Sequence, residues 1–190
     1  QTGKLVWKNE YGGFGDDLGV DVIRSVDNGL IIAGSTNSFG KGATDGWLIK
    51  VDNSGQEQWS KSFGGKSLDE FYCISSTMDG NYVVLGSTLS FAMNEDLYLI
   101  SVDENGEDNW ERTYGGPNSD RGKGVSELPL GGFILIGETQ NSIPDNGKDI
   151  LAIRTNQKGE EIWSLEFGGN GNQSVYDFCM LNNEGSGCVI

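Results

Sequence analysis

Two series of aspartates are the first residues in this chain that could do chemistry. Asp17, Asp69 and Asp120 each follow a Gly-Gly loop, and Asp45, Asp96 and Asp149 each open an apolar run. A carboxylate so placed can ligate calcium or act as a general base. The loop Asp145-Asn146-Gly147-Lys148-Asp149 gathers oxygen-bearing side chains around a glycine. Asp145 and Asp149 are therefore the metal candidates, although the loop lacks the late bidentate glutamate of a calcium loop and carries a lysine. The neighbours Asp16-Asp17 and Asp69-Glu70 point to opposite faces if they lie on strands, which makes them poor acid–base partners. There is no histidine, which removes Ser-His and Cys-His nucleophile pairs and imidazole metal sites. Cys73, Cys179 and Cys188 follow no metal-ligand or Cys-x-x-Cys spacing, and which pair could form a disulfide stays open. Cys73 and Cys179 read as small buried hydrophobes of strands. No catalytic constellation emerges.

What must position these groups is a repeat. A turn glycine, a tryptophan, an aromatic and a Gly-Gly pair recur as Gly3/Trp7/Tyr11/Gly12-Gly13, Gly55/Trp59/Phe63/Gly64-Gly65, Gly106/Trp110/Tyr114/Gly115-Gly116 and Gly159/Trp163/Phe167/Gly168-Gly169. Successive tryptophans are 52, 51 and 53 residues apart. A period of that length makes each copy one supersecondary unit stacked on its neighbours. In the second copy, residues 56–63 alternate, with Trp59, Lys61 and Phe63 on one face, and predict a half-exposed outer strand D. Strand A is expected over 71–77. Strand B follows over 82–86 and strand C over 97–102, both apolar runs suited to cover on two faces. A residue that recurs once per unit meets the same structural duty each time. Turn capping and backbone bonding are thus the expected work of both aspartate series, and of Asp52, Asp103 and Asn156 in the C-to-D hairpins.

No helical period appears. The expected fold is all-β: a β-propeller of four-stranded antiparallel blades, with a β-sandwich as the alternative. The units run over about 1–55, 56–106, 107–159 and a partial 160–190. Together they form one propeller domain or segment, completed by further repeats or by self-association. The net charge of −15 disfavours nucleic acid and anionic membrane, and no apolar run approaches a membrane span. A leader peptide is expected to be absent or already removed, since no basic stretch precedes an apolar one near the start.

The units resemble a propeller repeat common in secreted and surface proteins of bacteria and archaea. The resemblance rests on Trp59-x-Lys61-x-Phe63-Gly64-Gly65, Asp79-Gly80-Asn81-Tyr82, Gly86-Ser87-Thr88-Leu89-Ser90 and Asp45-Gly46-Trp47-Leu48-Ile49-Lys50-Val51-Asp52. The glycine–tryptophan hairpin is also similar to quinoprotein-type propellers. That likeness implies a tryptophan that opens the outermost strand of a blade and docks on the neighbour. The third copy departs with Leu130-Gly131-Gly132, and the fourth ends in a degraded strand B, 186–190.

The B-to-C loops, 35–44, 87–95 and 138–148, vary most and should share one end with the D-to-A loops. There Phe39 and Phe91 could stack on a sugar or anchor a protein, with Lys41, Asn94 and Asn141 as polar partners. The opposing reading is that the two rings tuck between sheets. The function expected is a non-enzymatic extracellular or cell-surface binding or adhesion module, with a protein or polysaccharide partner. No cofactor is expected, and calcium is the ion its loops would suit. The alternatives are a quinone-dependent oxidoreductase or hydrolase, and a structural surface-layer or filament component.

Overall fold

The computed structural model of the chain describes residues 3–140, 147–180 and 188–189. Twelve strands form three four-stranded antiparallel sheets, with no helix among the described residues. Sheet I holds β1 (Asp17–Arg24), β2 (Leu30–Thr36), β3 (Asp45–Val51) and β4 (Glu57–Phe63). Sheet II holds β5 (Asp69–Ser76), β6 (Tyr82–Thr88), β7 (Asp96–Val102) and β8 (Asp108–Tyr114). Sheet III holds β9 (Asp120–Glu127), β10 (Phe133–Gln140), β11 (Lys148–Thr155) and β12 (Glu161–Phe167). A short pair follows, β13 (Cys179–Met180) and β14 (Cys188–Val189), where the fourth copy's A and B strands were expected.

The sheets stack in chain order: β5 packs across β1, β2 and β3, and β9 across β5, β6 and β7. The two-residue period of β6 explains how a middle strand is buried on both faces. Tyr82 and Val84 pack with Ile31, Ala33 and Leu48 of sheet I, whereas Val83 and Leu85 pack with Val125, Leu135 and Ile153 of sheet III. Each such side chain contributes about 1.5–3 kcal/mol of burial, and the middles of β6 and β7 are continuous apolar runs because neither has a wet face.

The first strand of each four-stranded sheet carries a bulge at the same place. The register slips between Gly19 and Asp21, between Phe71 and Cys73, and opposite Ile136 and Gly137. The bulged carbonyl leans on the glycine of strand B, so at Gly34 and Gly86 a side chain would collide with the carbonyl oxygens of Leu18 and Glu70. An isolated glycine in an otherwise β-branched run signals such an approach.

Neighbouring sheets are also joined at their rims. Trp7, Trp59 and Trp110 each lie over the hairpin glycine of the next unit, Gly55, Gly106 and Gly159. The indole of Trp7 donates to the Asn53 carbonyl at 3.1 Å, and that of Trp59 to the Glu104 carbonyl at 3.2 Å. Tyr11 and Tyr114 donate to the carbonyls of Gly55 and Gly159. Residues 3–11 thus dock as an outer strand does, yet they are not a strand as the repeat predicts. An outer strand is defined by pairing with a strand C, and among the described residues none lies beside them. At the other face of sheet I, Leu18 and Val22 on β1 are more than half exposed.

Cys73 sits in β5, where burial first, and then the charge of Asp21, pushes its thiol up to about 12. That is an inert, structural cysteine. The side chains of Cys179 and Cys188 lie outside the described residues.

Candidate functional site

The aspartates that follow the Gly-Gly loops do one job in every repeat. Asp17 accepts from the Gly13 N–H at 2.8 Å, Asp69 from Gly65 at 2.8 Å and Asp120 from Gly116 at 3.0 Å. In the fourth copy Gln173 replaces the aspartate and takes the Gly169 N–H at 3.2 Å. Asp17 also receives the hydroxyls of Thr36 and Ser38, and Asp69 those of Thr88 and Ser90. Burial raises the Asp17 carboxyl, but the hydrogen bonds from Thr36, Gly13 and Ser38 outweigh it and hold it below the usual range. In the hairpins, Asp52, Asp103 and Asn156 each accept the backbone N–H groups two and four residues on. The recurring acids are therefore turn and loop caps.

Asp45 and Asp96, at equivalent places, differ. Asp45 is capped by the N–H groups of Lys41 at 2.8 Å and Gly42 at 2.9 Å. The corresponding loop before Asp96 is one residue shorter, and Oδ1 of Asp96 is buried with no hydrogen-bond partner. Asp96 and Asp120 both reach the place where a side chain on Gly115 would stand, at 2.5 and 2.6 Å, so their facing oxygens are at most about 5 Å apart. Burial, and then the Asp120 charge, pushes the Asp96 carboxyl up to about 6, against an ordinary 3.8. Between about pH 4 and 6 the folded protein holds a proton that the unfolded chain has released. The stability linked to Asp96 is present below that window and lost as pH rises through it. Asp96→Asn removes the ionisation and should stabilise the protein by about 1 kcal/mol at pH 8, allowing for solvent screening, and by less at pH 5. Urea midpoints at the two pH values check this; an equal shift at both would refute it.

The loop end is assembled as expected. Thr44 bridges Leu68, the Asp69 N–H donates to the Thr44 carbonyl and the Leu89 N–H to the Leu68 carbonyl, so D-to-A loops meet B-to-C loops. Phe39 lies against Trp47 and beside Gly13, and Phe91 lies against Tyr98, with ring centroids 5.8 and 5.5 Å apart. Both phenylalanines pack one side on strand C while remaining 46% and 48% exposed. The rings are thus neither fully tucked between sheets nor free of them. Asn94 is spent on the Pro117 carbonyl at 2.7 Å, tying its loop to the next unit. Asn141 and Asp145 lie outside the described residues. Asp149 is buried beneath Gly168, and no cluster of three acidic or cysteine side chains able to hold a metal occurs among the described residues.

A groove of about 660 Å³ runs along the junction of sheets I and II. Lys41, Lys61, Lys66 and Phe91 line it, with Glu107, Asp108 and Glu111 on the β8 side. Lys41 and Lys66, unlike Lys61, do not belong to the repeat. In the next unit Lys66 becomes Pro117 and Lys41 becomes Ala92, and the cavity touching that junction shrinks to about 160 Å³. Lys61 pairs with Glu107 at 2.6 Å, while Lys41 and Lys66 are exposed and make no ion pair among the described residues. A larger groove of about 770 Å³ lies among the A-to-B turns between sheets II and III, but no cation lines it.

No protein-family model and no curated protein matches this chain. Among solved structures it is similar to a protein of unknown function from Dyadobacter fermentans DSM 18053, at 13% identity and a TM-score of 0.55. The likeness is one of fold. It covers 86% of this chain and 53% of the other, so the chain spans about half the length of that protein. No helix of the described residues is long and apolar enough to cross a membrane. Of the residues singled out from sequence, Lys41 and Phe91 share the groove, Phe39 stands at the equivalent place one unit earlier, and Asn94 is structural. Lys66 escaped notice, although its break with the repeat was readable.

Proposed function

We propose that the three sheets are blades of a β-propeller and that its loop-bearing rim binds a ligand without transforming it, at the cell surface or outside the cell. The propeller reading is supported by the regular stacking, the indole-on-glycine joints and the burial of both middle strands. A further four-stranded sheet, with residues 3–11 as its outer strand, would cover Leu18 and Val22 and continue the series. The observation that carries the binding reading is the groove between sheets I and II. Its Lys41 and Lys66 depart from the repeat, whereas the recurring acids are occupied as caps. A residue that breaks a repeat is released from the repeat's structural duty.

The hydrolase reading has one observation in its favour, the close pair Asp96 and Asp120 with the Asp96 carboxyl pushed up to about 6. Asp96 is absent from the walls of the small cavity that Asp120 faces, so the pair does not meet a substrate-sized space.

Arrays of glycans and peptides, probed with the wild-type chain and with a Lys66→Glu/Phe91→Ala variant, test the binding reading. The expected result is a ligand class bound by the wild type and lost from the variant. Ligands retained equally by both would place binding elsewhere and sink it.

A further inference from the structure

Resting on the binding reading above, we infer that the groove between sheets I and II takes an anionic saccharide, a chain of sugars carrying carboxylate or sulfate groups. The chain has 28 acidic and 13 basic residues, and Lys4, Lys41, Lys66 and Lys158 are the lysines without an ion pair among the described residues. Two of them, Lys41 from the loop before β3 and Lys66 from the loop before β5, line this groove. They come from different loops, which meet through the bond between Thr44 and Asp69. An anion here is held from two sides of the loop end rather than by a single flexible lysine.

Phe91 supplies the second element. Its ring rests on Tyr98 and leaves about half its surface to the groove end, a fixed apolar face beside the cations. Sugars present C–H groups on one face and polar groups at their edges, and an aromatic ring takes the former. The third element is the β8 wall. Glu107, Asp108 and Glu111 offer carboxylate oxygens along the groove, and hydroxyl groups donate to such acceptors. Glu107 is engaged by Lys61, and Tyr98 donates to Glu111, so this wall is held in place by the protein itself.

The three elements separate saccharides from the other anion that suits lysines, an acidic peptide. A run of aspartates or glutamates would satisfy Lys41 and Lys66 but would bring like charges against the β8 wall. A saccharide brings hydroxyls there. The net charge of −15 repels any anion at long range, but at physiological salt the Debye length is about 8 Å, so distant acids are screened while contacts in the groove persist.

Calorimetric titration of the whole chain at 0.15 M salt tests the assignment with four probes: oligogalacturonate, its methyl ester, a sulfated dextran oligosaccharide and polyglutamate. Binding of oligogalacturonate or sulfated dextran is expected, and the stronger of the two identifies the anion. The methyl ester and polyglutamate should each bind at least tenfold more weakly. A Lys41→Glu/Lys66→Glu variant, altered only at exposed positions, should keep the wild-type Tm and lose at least tenfold. Phe91→Ala should lose about fivefold, and Lys158→Glu, outside the groove, should lose nothing. Equal binding of the methyl ester or of polyglutamate would overturn the assignment, as would an unaffected lysine variant or silence with both anionic sugars. If the arrays instead yield a neutral glycan or a peptide that the groove variant loses, the anionic-saccharide assignment falls and the binding reading stands. If they yield no ligand that the groove variant loses, both fall.

Discussion

Gly86→Ala is expected to leave little folded protein. The new Cβ would collide with the Glu70 carbonyl oxygen and approach the Phe71 Cα at 2.8 Å. Neither atom can yield. Gly86 is paired to β5 on one side and β7 on the other, and strand β6 is buried along its whole length between sheets I and III. Small-to-large changes in a site so enclosed cost about 1–3 kcal/mol when side chains give way, and more when backbone must. We expect about 4 kcal/mol, a large part of the 5–15 kcal/mol that holds a domain of this size together. Gly80→Ala is the control. Gly80 has φ +85° and nothing within 4 Å of the new methyl, so it tests backbone strain alone, at about 1 kcal/mol. Urea denaturation of both variants decides the matter; a Gly86 variant no less stable than the Gly80 variant would contradict the bulge account.

Asp69→Ala should be the next most damaging change. Asp69 is fully buried and takes the Gly65 N–H, the Thr88 hydroxyl and the Ser90 hydroxyl. Truncation strands three donors in the space between sheets I and II, at an expected total of about 3–4 kcal/mol. Part of this is returned, because Asp45 and Asp69 both stand 2.5 Å from where a side chain on Gly64 would begin, and Asp45 loses a like-charged neighbour. Asp69→Asn keeps a carbonyl acceptor and drops the charge, so it should cost about half as much. The chain makes that exchange itself at Gln173, which takes the Gly169 N–H without a charge. Thermal melts of both variants read the difference, and equal losses would mean that charge, rather than capping, holds the loop.

The repeat told most of the fold because it is written in backbone constraints. The apolar run 82–86, the turn Asp79-Gly80 and the hairpin Asp103-Gly106 each name a local geometry, and β6, its turn and the β7–β8 hairpin lie where those residues put them. That a tryptophan docks on the neighbouring unit was implied by the quinoprotein likeness, and the structure adds that Trp59 lies over Gly106. Residues 3–11 were misread as a strand because pairing depends on a partner rather than on their own sequence. The bulges were missed although Gly34, Gly86 and Gly137 mark them, because a glycine in a strand does not say which carbonyl approaches it.

The site was less legible, and for the opposite reason. Capping by Asp17, Asp69 and Asp120 follows from recurrence, but the state of Asp96 depends on an oxygen left without a cap and on the approach of Asp120 from another loop, which no single segment spells out. Lys66 and Lys41 are 25 residues apart and meet only because two loops fold to one end. Nothing in either segment alone announces a groove.

The seating of each indole on a glycine of the following unit has a genetic corollary. Plug and socket lie in different copies of the same text, so an in-frame duplication of one unit creates both halves of a new joint at once, wherever within the unit the crossover falls. Such a gene can lengthen or shorten by whole units without inventing an interface. Isolates that differ by entire copies should then be more frequent than isolates that differ by a single strand.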